Sequence, residues 1–204
     1  MAFIDLSVPL TENTPVYPGD SKIKIEFAET LEKNGCEDHV LTLNNHVGTH
    51  IDAPSHMLKG GKTIARFPLE RFCGKGIYIR IPDTFTLDVV QKAKIGKDDI
   101  VLFHTGRSDS YDADDYFTKY PAITEEVAHY LVAKRVKMVG VDTCSVDAHF
   151  TSFPIHKILL RKDILIIENL VNLASLAGKE FQVYAFPLAL QLNGSPTRVV
   201  AEIV

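Results

Sequence analysis

An α/β domain built around a mixed β-sheet is the fold that this sequence of 204 residues predicts. Three observations predict it. The N-terminal part carries runs that alternate polar and apolar residues, the mark of half-buried strands. The second half sets short apolar runs between stretches of helical periodicity, the order expected of strands and helices packed in layers. No linker, repeat or low-complexity stretch interrupts the chain, so residues 1–204 are expected to form one domain.

Taken in order, residues 22–27 alternate from Lys22 to Phe27 and read as a half-buried strand. Residues 40–43 read as a second strand that runs into a histidine-rich loop. Residues 76–81 and 99–103 read as further strands. Between them Leu87, Val90 and Ala93 recur at the spacing of a short amphipathic helix over 87–94. Residues 124–135 carry a full set of helix signals: Thr124 as N-cap, Glu125 and Glu126 in the first turn, Lys134 and Arg135 in the last. An apolar strand follows over 136–141. A helix over 154–162 has Ile155, Ile158 and Leu159 on one face, and a buried strand over 163–167 ends at Glu168. Residues 181–186 and 197–203 complete the strands.

Composition excludes several classes of function. Hydrophobic residues make up 46% of the chain and charged residues 24%, as in ordinary globular proteins. The net charge of −4 gives no electrostatic footprint for nucleic acid. No uncharged apolar run approaches the length of a membrane span. Cys36, Cys73 and Cys144 are odd in number and far apart, which fits a reducing compartment rather than a disulfide framework or a zinc ribbon. With no signal peptide at the N-terminus, a cytoplasmic location is the expectation.

Function concentrates between residues 46 and 56. His46, His50 and His56, with Asp52, fall within eleven residues of a chain that has eight histidines in all. Histidine with carboxylate is a ligand set for divalent first-row metals. Val47 stands where a metalloprotease helix of the His-Glu-x-x-His type needs glutamate, and Gly48 opposes a helix, so that reading fails. Three or four of these side chains can converge on one cation. Structural zinc sites lean on cysteine, which is absent nearby, so the ligand types point to a catalytic site.

Glu168 ends an apolar strand, where an acid is costly unless paired, protonated or metal-bound. His156 lies on the preceding helix and can fold back beside it. Asp142, Ser145 and Asp147 follow another buried strand; such residues either serve function or act as turn formers and helix caps.

These segments together resemble the cyclase family of metal-dependent hydrolases, which includes arylformamidases and isatin hydrolases. His46, Gly48, Thr49, His50, Asp52, Pro54 and His56 match its His-x-Gly-Thr-His-x-Asp-x-Pro-x-His signature. Pro18, Gly19 and Asp20 resemble its N-terminal Pro-Gly-Asp. Gly140, Asp142, Ser145 and Asp147, then His156, then Glu168, Asn169 and Leu170, then Gly194, Ser195, Pro196 and Arg198 match later motifs in the same order. The resemblance implies a swivelling β/β/α-type fold with a barrel-like mixed sheet flanked by helices.

It further implies a two-ion site, with zinc or manganese the expected divalent metals. His46, His50 and Asp52 would hold the first ion and His156 the second, with Asp52 and Glu168 shared. His56 would be the acid/base. The implied reaction is hydrolysis of a carbon–nitrogen amide bond by metal-activated hydroxide, on a small aryl formamide of the N-formylkynurenine type or a cyclic amide. A homo-oligomer, dimer or tetramer, is implied too. One departure bears on substrate. Arylformamidases of this family typically carry tryptophan before Pro-Gly-Asp, whereas this chain has Tyr17 there and no tryptophan anywhere. Tyrosine can still stack on an aryl group. Met57, where many members have phenylalanine, is a second difference nearby.

Two rival readings predict different things. A non-haem iron oxygenase built on His50, Asp52 and a distant histidine predicts an all-β jelly roll and leaves His46, His56 and Glu168 unexplained. A non-catalytic, metal-stabilised binding protein predicts filled ligand positions without turnover.

Overall fold

The computed structural model describes residues 2–204. Nine strands form one mixed sheet: β1 (Ala2–Asp5), β4 (His50–Asp52), β5 (Cys73–Arg80), β6 (Ile100–His104), β7 (Met138–Val141), β8 (Leu165–Glu168), β9 (Phe181–Tyr184), β10 (Gly194–Pro196) and β11 (Val200–Ile203). Their order across the sheet is β1-β11-β9-β5-β6-β7-β8-β4-β10. Strands β5 to β8 run parallel, and every pairing outside that block is antiparallel. Two further strands, β2 (Lys24–Glu29) and β3 (Asp38–Thr42), form a separate hairpin across helix α1 (Leu31–Asn34). The remaining helices are α2 (Leu87–Gln91), α3 (Glu125–Lys134) and α4 (Pro154–Leu160).

Both faces of the parallel block are covered, which is why its strands read as unbroken apolar runs. Val101, Phe103, Val139 and Val141 pack outward against Leu131, Ile155 and Leu159 of α3 and α4. Ile100, Leu102, Met138 and Ile167 point inward, where the curled sheet closes on Ile51, Phe181, Val183 and Ala201. The expected half-barrel with flanking helices is what forms. A jelly roll is not, because parallel strands with helical crossovers occupy the centre of the sheet.

Helix α3 begins where its cap predicts, with Thr124 Oγ1 accepting the Val127 N–H at 3.3 Å. The helix predicted over 87–94 stops at Gln91, and the one over 154–162 at Leu160. Among the described residues, no helix is long and apolar enough to cross a membrane.

The hairpin departs from expectation. Its alternation is real, but the strand read as half-buried is exposed along almost its whole length. Ile25 pairs with Leu41 and Phe27 with His39, so these four side chains share one face. Phe27 is 64% and Leu41 60% exposed, so among the described residues little packs on that face. Alternation reports that a face is apolar, not what covers it.

Candidate metal centre

Strand β4 is three residues long and lies between β8 and β10. Sequence reading took the whole 46–56 segment as a loop, since Gly48 and Pro54 break regular structure on either side. His50 and Asp52 are two apart on this strand and point to one face. His50 is paired directly with Glu168 of β8, which brings the carboxylate beside both. The opposite pairing sets Gly194 against Asp52. A Cβ at Gly194 would stand 2.5 Å from His46 Cε1 and 2.8 Å from the Ile51 carbonyl, so this close approach requires glycine.

The groups converge on Asp52, which has no solvent exposure. Its Oδ1 lies 2.7 Å from His46 Nδ1 and 3.4 Å from His50 Nε2, and its Oδ2 lies 3.3 Å from His156 Nε2. Glu168 reaches the same nitrogens, with Oε2 3.5 Å from His50 and Oε1 3.2 Å from His156. The Val146 N–H donates to Glu168 Oε1 at 3.1 Å. His56 stacks on His46, with ring centroids 4.0 Å apart, and accepts from the Asn193 side-chain amide at 3.3 Å. All six residues expected at the site are therefore together. Donor atoms of five of them form two groups within 4.8 Å, His46, Asp52 and His56 in one and His50, Asp52 and Glu168 in the other, while His156 joins through Asp52 and Glu168. Asp52 belongs to both.

Two buried polar atoms here lack a hydrogen-bond partner: Asp52 Oδ2 and His46 Nε2. An unsatisfied buried carboxylate oxygen is expensive. Both atoms sit among imidazole and carboxylate donors, and that donor set fits divalent metal.

Backbone groups hold the histidines from behind. The Gly48 carbonyl, 2.8 Å from His50 Nδ1, accepts its proton and leaves Nε2 facing the carboxylates. Gly48 itself adopts φ 59°. The same carbonyl accepts from Asn169 Nδ2 at 2.9 Å, while Tyr116 Oη donates to Asn169 Oδ1 at 2.9 Å. In the sequence Asn169 is visible only as part of a motif, and nothing local marks Tyr116. Asp142, which it left open, is a loop brace: it accepts from the N–H groups of Thr105 and Gly106. Asp147 instead accepts from His156 Nδ1 at 2.6 Å.

A cleft of about 450 Å³ opens onto the cluster. Its walls include Tyr17, Tyr111, Phe117, Tyr120, Phe150 and Phe153. Tyr17 stands at the rim, edge-on to Phe117 with centroids 5.8 Å apart. Tyr111, Phe117 and Tyr120 lie far from the histidine loop in sequence, and no local pattern marked them. Burial pushes the Cys144 thiol in the same wall up to about 12, with the Glu168 charge adding to the shift. That thiol stays neutral.

Fold and centre together define an α/β protein with a candidate metal site on the edge of its sheet. The chain belongs to the cyclase family: the family described as putative cyclase matches residues 4–148. It is similar to the kynurenine formamidase of Bordetella avium, 31% identical over 201 residues that cover 96% of this chain and 95% of the relative. A solved structure described as a potential metal-dependent hydrolase with cyclase activity superposes with a TM-score of 0.83 at 28% identity, covering 98% of this chain and 96% of the other. Isatin hydrolase A from Labrenzia aggregata shares the fold, with a TM-score of 0.88 at 24% identity over 100% of this chain and 93% of that one.

Without ions, protons take the place of metal charge. Burial opposes charge on His50, but hydrogen bonds to Asp52 and Glu168 outweigh it and hold its pKa at about 10. His156 moves upward against the same burial cost, through its hydrogen bond to Asp147 and the adjoining carboxylates of Asp52 and Glu168. Burial pushes Asp52 up, yet its three histidines bring it well below the usual carboxylate range. A raised histidine stabilises the fold fully below its unfolded pKa, about 6.5, and loses that contribution as pH climbs through the folded value. The melting temperature of ion-free protein should therefore fall between about pH 6.5 and pH 10. Thermal melts in chelator check this; a rise across that window contradicts the pairing.

Proposed function

We propose that this chain is a metal-dependent amidohydrolase that cleaves a non-peptide carbon–nitrogen bond. The substrate class is an aryl formamide of the N-formylkynurenine type or a cyclic amide of the isatin type. The convergence of His46, His50 and His156 on the buried Asp52 carboxylate, at the base of an aromatic cleft, is the observation that carries this reading. Family membership and the similarity to kynurenine formamidase support it.

In this reading His46, His50 and Asp52 hold one divalent ion, His156 a second, and Asp52 and Glu168 serve both. Zinc and manganese suit the donor set. When bound, the ions would polarise the amide carbonyl and lower the pKa of water. His56 moves the proton. His46, His50 and His156 each lie within 3.4 Å of an Asp52 oxygen, whereas His56 stacks on His46 without pairing with Asp52. Asn193 donates to His56 Nδ1, so the other nitrogen, Nε2, is the one that exchanges protons with substrate. Burial lowers the His56 pKa, which favours the neutral ring needed to accept a proton from the attacking water. The same nitrogen then protonates the leaving amine. Tyr17 and its aromatic neighbours offer ring faces and edges to an aryl substrate.

The reading includes a homo-oligomer, supported by the exposed Phe27 and Leu41 on the apolar hairpin face, and a cytoplasmic location, supported by three free cysteines.

A panel of N-formyl aromatic amines, isatin and other cyclic amides, run on metal-stripped and reconstituted protein, tests the activity. Turnover should appear only after reconstitution, and none on any substrate would sink the reading. His56→Ala should lose about 10²–10⁴-fold in kcat with its ions retained; full activity in that variant removes the proton role. Replacing Phe27 and Leu41 together by aspartate should lower the solution mass measured by light scattering, and a monomeric wild-type protein would refute the assembly.

A further inference from the structure

The loop that leaves β7 returns to α4 through residues 142–153, and within it Asp147 is 1% exposed. Both of its oxygens are committed to the start of α4. Oδ1 accepts the Ile155 N–H at 2.8 Å, and Oδ2 accepts the His156 N–H at 3.0 Å. The same Oδ2 lies 2.6 Å from His156 Nδ1. Asp147 is itself anchored, its N–H donating to Ser145 Oγ at 3.1 Å. One residue earlier, the Val146 N–H holds Glu168 Oε1. Two consecutive residues thus grip the two groups, His156 and Glu168, that approach each other to 3.2 Å.

We propose that Asp147 is the positioning residue of the second ion, fixing the tautomer and ring direction of His156 so that Nε2 is presented to Asp52 and Glu168. A carboxylate on the far nitrogen of a ligating histidine sets which nitrogen carries the proton and makes the other a stronger donor. With Nδ1–H donated to Asp147, Nε2 is the nitrogen that faces Asp52 Oδ2 and Glu168 Oε1, at 3.3 and 3.2 Å, and the one whose lone pair an ion would take in place of a proton. His50 reaches the same state through the Gly48 carbonyl, a neutral acceptor. His156 differs in having a charged acceptor, and a charge-assisted hydrogen bond is roughly twice as strong as a neutral one. Loss of Asp147 therefore weakens the second ion selectively. A helix cap alone explains the bonds to the Ile155 and His156 N–H groups, but not the one to the imidazole.

The inference rests on His156 being a ligand, and its test separates the two. Asp147→Asn keeps the shape of the side chain and one accepting oxygen. In the full chain titrated with zinc against a competing chelator, the variant should bind its second ion about 10–100-fold more weakly, with the first unchanged. Its kcat should fall with KM little altered. Equal affinity for both ions in Asp147→Asn, accompanied only by a lower melting temperature, would reduce Asp147 to a cap and overturn the proposal. A wild-type chain that takes a single ion overturns the two-ion reading and the proposal with it. Nitrogen NMR of zinc-loaded wild-type protein needs no variant: His156 should show a protonated Nδ1 and an unprotonated Nε2, and the reverse tautomer contradicts the assignment.

Discussion

A carboxylate with no solvent exposure lies at the junction of three imidazoles, and the geometry of the centre follows from keeping Asp52 there. An isolated buried charge costs several kcal/mol after relaxation, so every neighbour of Asp52 must compensate it. His46 does so on Oδ1, while Oδ2 is left to His156 and to whatever cation joins them. The requirement reaches into the backbone. Strand β4 must sit inside the sheet to bury Asp52, β10 must close over it, and residue 194 must lack a side chain for His46 to fit. Three motifs far apart in sequence are thus consequences of one charge placement.

The scaffold divides the work between rigid and adjustable parts. Parallel strands β5 to β8 supply a core packed on both faces, and the candidate ligands lie around it, at the end of β8, on β4 and the loop before it, and on α4. Candidate ligands on paired strands are held by the sheet ladder itself, as His50 and Glu168 are. His156 stands on the first turn of a short helix and needs a separate brace, which Asp147 provides. The cleft wall is drawn from loops, among them the segment carrying Phe150 and Phe153, both at φ 58°. The two carboxylates of the centre thus ride on the sheet, and the aromatic wall of the cleft on loops.

Much of this was legible in the sequence where local physics dominates. Thr124 marked a helix start because a cap is a short-range interaction, and the apolar run ending in Glu168 marked a buried strand with an expensive terminus. The histidine cluster was visible because its members are neighbours in the chain. Elements fixed by long-range contact were not visible. Strands β4 and β10 are three residues each and hold glycine or proline at or near their ends, so no periodicity can reveal them. Asp147 reads in sequence as a turn former or cap, and it is a cap; its bond to His156 depends on how the loop folds back. Tyr111, Phe117 and Tyr120 carry no pattern at all, since only the tertiary fold brings them opposite Tyr17. The hairpin alternation marks a strand with one apolar face, but that face is exposed rather than half-buried, and alternation does not say what covers it.

The most direct test of the central role given to Asp52 is ion stoichiometry in Asp52→Asn. The substitution preserves shape and removes the charge that both donor groups share. With folding verified by circular dichroism, metal analysis after reconstitution should find two ions per wild-type chain and fewer than one in the variant. A folded Asp52→Asn chain that retains both ions at wild-type affinity would contradict the account.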